Sequence, residues 1–143
     1  MQAIKICTAL ACSLLLAACA TQAVKPSLAS PVPPDRISNE TILSTNAGQE
    51  TSAATFVRDS GIYGIGETIY LYIDGQEIAG FRPSEKLTIY VPKGEHLLGV
   101  QSRPNFGLEQ FIESPTNFIG GREYSFRISI DGSKAIVQRT SAF

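Results

Sequence analysis

The sequence predicts an all-β fold, a small antiparallel β-sandwich of about seven or eight short strands. Runs of β-branched and aromatic residues alternate with polar ones, Asp-Gly pairs punctuate them, and no 10-residue segment after Cys19 carries a helical stripe. Ala53 to Arg58 reads as a first strand. Glu67 to Ile73 follows as Glu-Thr-Ile-Tyr-Leu-Tyr-Ile and runs straight into Asp74-Gly75. Asp-Gly accepts the positive φ angles of a type I′ turn, whose twist matches paired strands, so Gln76 to Phe81 folds back as the first hairpin. Lys86 to Val91 alternates next, Pro92-Lys93-Gly94 breaks it, and His96 to Gln101 resumes, which reads as a second hairpin. Leu108 to Glu113 reads as a further short strand. Arg122 to Ile130 and Lys134 to Thr140, joined at Asp131-Gly132, form the third hairpin. An open sheet would leave Ile69, Leu71, Ile73, Leu87, Ile89, Val91, Phe126 and Ile128 wet, so two sheets must face each other.

Ahead of this lies a different kind of sequence. Lys5 precedes an apolar stretch from Ile6 to Ala18, the length of a signal-peptide core and short of the roughly 20 residues that span a bilayer. It ends in Leu16-Ala17-Ala18-Cys19, which resembles the lipobox of bacterial lipoproteins. That resemblance implies cleavage of signal peptide 1–18 and acylation of Cys19, hence a membrane anchor. Ala20, in place of aspartate, implies an outer-membrane destination if the host is Gram-negative. Cys7 and Cys12 leave with the signal peptide, so no disulfide is available to the mature chain.

Residues 19–50 are rich in Ala, Thr, Ser, Pro, Gln and Asn, including Pro31-Val32-Pro33-Pro34, and read as a flexible linker. A coil of this length has a root-mean-square span of about 30 Å and a stretched limit near 100 Å. Ile37, Ile42 and Leu43 offer at most a helical turn or an added strand. The folded domain is then 51–143, large enough for one modest core.

Loss of Lys5 with the signal peptide moves the formal charge from −1 to −2. With no basic run or stripe interleaved with aromatics, nucleic acid is excluded as a partner. No constellation points to catalysis. His96 is the sole histidine, no Gly-x-Ser-x-Gly elbow presents a serine, and a histidine opening a strand after a tight turn reads as a cap on that turn. Asp59, Glu67, Asp74, Glu77, Glu85, Glu95 and Asp131 lack metal-ligand spacing, and Gly61-Ile62-Tyr63-Gly64-Ile65-Gly66 lacks the Lys-Ser or Lys-Thr of a phosphate loop, so neither a metal nor a cofactor is expected.

If Ile69, Leu71 and Ile73 point inward, alternation turns Tyr70 and Tyr72 outward. Tyr90 of the next alternating run is expected beside them, making Tyr70, Tyr72 and Tyr90 a candidate ligand or partner surface, unless these rings merely brace the sheet. Phe106, Phe111 and Phe118 read as a loop lid or an exposed binding loop. The runs from Tyr70 to Gly80, from Leu87 to His96 with its Pro-x-Gly-x-His turn, and from Arg122 to Ile128 resemble PEGA-like domains of bacterial lipoproteins. The resemblance implies a sandwich of the transthyretin type in the cell envelope and carries no catalytic residues. The expected function is a non-enzymatic lipoprotein that scaffolds or binds an envelope protein; the alternative is a module that binds, or weakly hydrolyses, peptidoglycan or another glycan.

Overall fold

A computed structural model describes residues 21–38, 48, 50–61, 66–103, 110–132 and 134–141. Residues 1–18, expected to be a signal peptide, and Cys19, Ile42, Leu43, the centre of the glycine-rich run and Phe106 lie outside the described residues. The described residues form nine strands in two facing sheets: β1 (Ser30–Pro31), β2 (Thr51–Arg58), β3 (Thr68–Ile73), β4 (Gln76–Phe81), β5 (Glu85–Pro92), β6 (Gly94–Arg103), β7 (Gln110–Phe118), β8 (Glu123–Asp131) and β9 (Lys134–Arg139). One sheet has the order β1-β5-β2-β8-β9 and the other β4-β3-β6-β7. The all-β sandwich expected from alternation is present, with one or two strands more than the seven or eight the sequence suggests.

Two hairpins form as read. Asp74 and Gly75 both take positive φ, 51° and 75°, and return β3 into β4. Gly132, at φ 60°, turns β8 into β9. The second expected hairpin does not form: β5 and β6 belong to different sheets, and Pro92-Lys93-Gly94 is a corner between them. A three-residue break between two alternating runs suits a hairpin or an arch equally. The decision is tertiary, because β5 already pairs with β1 on one side and β2 on the other. The hairpin partner of β6 is instead β7, which extends to Phe118 well beyond the expected Glu113. Pairing is antiparallel except for β1 with β5 and β2 with β8, which run parallel.

The core is the inner face of both sheets. Phe56 of β2 and Phe126 of β8 are register partners whose rings stack 4.8 Å apart, and Phe118 and Tyr124 extend the cluster. Ile69, Leu71, Ile78, Leu98 and Val100 face them from the second sheet. Three charged side chains are placed around the first sheet. Arg58 follows Ala54 and Phe56 on the inward row of β2 and donates to the carbonyls of Glu67 and Phe81, each at 2.6 Å, which joins the two sheets at one end. Burial pulls its guanidinium down to about 10, against the charges of Glu67 and Glu85, so it stays cationic at neutral pH. Asp59 is buried and receives two hydrogen bonds from Arg127, at 3.1 and 2.5 Å.

The linker expectation for 19–50 is corrected over residues 21–38, which lie along the sandwich as a strap. Gln22 bridges to Ser60, Ser30–Pro31 adds to the edge of β5, and Ile37 bridges to Ala79 on the edge of β4. Val32 enters the core at 4% exposure, and Ile37 packs against it. Arg36 holds Glu85 with both terminal nitrogens and also donates to the Gly80 carbonyl at 2.9 Å. The strap therefore covers the two sheet edges that would otherwise stand open on one side. Its proline-rich composition suits this role, since an edge segment needs few backbone donors.

A candidate binding face on the second sheet

The outer face of the second sheet carries Tyr70 and Tyr72 from β3, Glu77 and Gly80 from β4, Leu97, Gly99, Gln101 and Arg103 from β6, and Phe111, Glu113 and Pro115 from β7. A bulge decides which carboxylate joins them. Leu71 pairs with Ala79 but Tyr72 pairs with Glu77, so Ile78 is the extra residue. Ile78 and Ala79 both turn inward as a result, and Glu77 turns out beside Tyr72.

Glycine lets the aromatic rings lie down on this sheet. A Cβ on Gly99 would meet the Phe111 ring at 2.8 Å, and one on Gly80 would meet the Tyr70 ring at 3.0 Å. The rings fill the space that a side chain would take, a known way of shielding glycine in strands. The guanidinium of Arg103 covers the Tyr70 ring, 3.9 Å from its centroid. The same guanidinium donates to the Tyr72 hydroxyl at 2.6 Å, to Glu77 at 2.7 Å and to Gln101 at 3.2 Å. The Tyr72 hydroxyl lies 3.0 Å from Glu77 and 2.8 Å from Gln101, and Ser38 of the strap donates to Glu77 at 2.6 Å. Phe111 meets Tyr72 edge-on at 5.1 Å and remains 46% exposed. Burial, then the hydrogen bond and charge of Glu77, raise the Tyr72 phenol, outweighing Arg103.

Tyr90 does not belong to this face, which corrects the expected trio. It lies on the outer side of β5 in the first sheet, where Ala53 is its Cα partner. The error follows from reading β5 and β6 as a hairpin: once the chain crosses at Pro92, the outer face of β5 looks away from that of β3. Phe118 is in the core at 1% exposure and is no lid. Phe111, expected in a loop lid or an exposed binding loop, is instead a member of this face on β7. Its signal was the alternation from Gln110 to Phe118, masked by Pro115, which an edge strand such as β7 tolerates.

His96 sits at the β5–β6 corner as the capping reading expects. Its Nδ1 lies 2.6 Å from Asp74 Oδ2, and its Nε2 lies 3.0 Å from the Pro92 carbonyl. Asp74 also accepts the Leu97 amide at 2.9 Å. One carboxylate thus joins the β3–β4 turn to the start of β6, and the ring nitrogen that a nucleophile would need is turned to backbone. Among the described residues no group of three or more His, Cys, Asp or Glu side chains is arranged to hold a metal ion.

Comparison with protein-family models, with curated proteins and with solved structures found no match.

Two carboxyls of this region give the fold a pH dependence. Partial burial opposes ionisation of Glu77, but hydrogen bonds from Ser38, Tyr72 and Arg103 and the charge of Arg103 outweigh it and hold its pKa below 4.5. Partial burial likewise opposes ionisation of Asp74, and the hydrogen bonds from His96 and the Leu97 amide hold it below 3.8. A carboxyl depressed by folding stabilises above its unfolded value and loses that contribution as pH falls through its folded one. At neutral pH these groups therefore contribute in full and give stability no pH dependence, and stability is expected to drop below about pH 4. Urea titrations across that range should show a shallower acid slope for Glu77→Gln than for the unsubstituted protein, and an unchanged slope would remove Glu77 from the account.

Proposed function

We propose that the mature chain is a non-enzymatic lipoprotein of the bacterial cell envelope, acylated at Cys19, that binds an envelope protein through the outer face of its second sheet. The lipobox-like Leu16-Ala17-Ala18-Cys19 supports the anchor. One observation carries the binding face: Phe111 is held half-exposed over Gly99, close to a polar network whose members bond to one another. Beside it Leu97, 42% exposed, pairs across the strands with the exposed Pro115, which lengthens the apolar surface along the β6–β7 edge. Fixed rings and satisfied polar groups present contact area without a large ordering cost.

The glycan reading asks for ring faces open to a sugar. Tyr70 has Gly80 beneath it and Arg103 above it, and Tyr72 is met edge-on, so Phe111 is the ring left exposed. A protein partner fits that arrangement better. A photocrosslinking phenylalanine analogue at position 111, in living cells, is expected to give a protein adduct that the same analogue at position 90, on the opposite face, does not. Absence of a protein adduct at 111, together with retention of the domain on purified cell-wall sacculi that Phe111→Ala abolishes, would replace this reading with the glycan one.

A further inference from the structure

We infer that the protein does not stand off from its membrane on a long tether but sits with one end of the sandwich, the end at Ser60, against the anionic head groups of the bilayer. The inference rests on acylation at Cys19 as proposed above and goes beyond it, because an anchor alone leaves orientation and distance open. Gln22 is already part of the fold. Its amide donates to the Ser60 carbonyl at 2.8 Å, and the Ser60 amide donates back at 2.9 Å. The strap is then fastened repeatedly: Lys86 reaches the Pro26 carbonyl at 2.6 Å, Ser30 N–H donates to the Ser84 carbonyl at 3.0 Å, and Val32 is in the core. Only three peptide units separate Cys19 from Gln22. At about 3.6 Å per residue, whatever their path, the acylated residue lies within roughly 11 Å of Gln22. A free linker over the whole of 19–50 would instead allow about 30 Å on average.

The strand registers show what else is at that end. Val57 pairs with Lys86, Arg58 with Ile128, Thr68 with Arg103 and Ile69 with Phe81, so the Ser60 end also holds the β4–β5 connection and the β8–β9 turn. Among the described residues its exposed charges are Lys25, Arg82, Lys134 and Arg103, the last already paired with Glu77, against Asp35 and Asp131. The opposite end carries exposed Glu50, Asp74, Glu95 and Glu123 against Lys93, Arg122 and Arg139. The basic end is thus the one that the acyl chains bring near the surface, to a distance comparable with the Debye length of about 8 Å at physiological salt. Anionic lipid attracts that end and repels the other, which resists pivoting about the short connection. The candidate face of the second sheet then stands upright on the membrane, open to a partner at the side.

The test uses the mature acylated protein in vesicles of phosphatidylethanolamine and phosphatidylglycerol containing a head-group nitroxide lipid. With Cys7 and Cys12 removed and Cys19 acylated, an introduced cysteine is the one free thiol for a fluorophore. Labels at Gly66→Cys and Gln110→Cys, at the Ser60 end, are expected to be quenched roughly threefold or more over labels at Asn117→Cys and Glu123→Cys, at the far end. Twenty Gly-Ser residues inserted between Ala20 and Thr21 should abolish the difference. Equal quenching at both ends in the uninserted protein, with mass spectrometry showing acylated Cys19, overturns the orientation, as does a difference that survives the insertion. An unmodified Cys19 overturns the anchor reading itself and the orientation with it.

Discussion

Phe56→Ala is expected to destabilise the domain by about 3–5 kcal/mol, the range for emptying a buried phenylalanine site. Phe56 has no solvent exposure, and its ring stacks on Phe126 at an interplanar angle of 12°. Phe126 in turn touches Phe118 and Tyr124, so the cavity opens at the centre of a connected aromatic cluster. The surroundings have little freedom to collapse into it. Both strands are interior to their sheet, and the Tyr124 hydroxyl is tied to the Ile119 amide at 2.9 Å, where Ser52 also holds the Ile119 carbonyl. Against a total stability of about 5–15 kcal/mol, such a loss is a large share, and it should lower the thermal midpoint by on the order of 15 °C. Calorimetry of the variant measures this. Phe56→Leu, which keeps most of the volume, should cost markedly less, and equal losses for both would show that ring stacking, and not the cavity, dominates.

Arg127→Met should be comparably damaging for an electrostatic reason. The Asp59 side chain is 1% exposed, while that of Arg127 is 25% exposed and reaches in from the neighbouring strand. Removing the arginine strands a buried carboxylate, for which about 3–5 kcal/mol is typical. Removing the charge as well takes that penalty away. The double variant Asp59→Asn with Arg127→Met is therefore expected to be more stable than Arg127→Met alone, even though it carries one more change. Urea denaturation of the two variants decides it: a double variant less stable than the single one would mean that Asp59 owes its stability to other partners.

Local signals in the sequence carried the strands a long way. Asp74-Gly75 ends a strand and begins a turn because few other residue pairs accept the left-handed backbone at both positions, and at Asp131-Gly132 it is the glycine that takes it. The alternation of Ile69, Leu71 and Ile73 with Tyr70 and Tyr72 assigned inner and outer faces correctly. The face itself was half legible: Tyr70 and Tyr72 belong to it, Tyr90 does not, and Phe111, expected in a lid or binding loop, lies on it in β7. Arg103, which covers one ring and bonds the other, gave no sign at all, since it is one charged residue at a strand end until the fold brings it over β3. The strap was illegible for a related reason. Proline, serine and alanine look like a tether when judged by what they can bury on their own, and Val32 is valuable only because an open sandwich edge lies opposite.

What this sequence determines unaided is where most strands lie, the Asp-Gly turns and, away from bulges, the side to which strand residues point, because those depend on φ preferences and a two-residue period within reach of a few neighbours. Sheet membership was settled by the tertiary structure. The corner at Pro92-Lys93-Gly94, the parallel pairing of β2 with β8, the bulge at Ile78 and the docking of residues 21–38 each depend on which edges and core spaces distant segments leave unfilled. A backbone edge accepts any strand of suitable length, so its choice of partner reflects the packing of the whole domain and is written in no single stretch of residues.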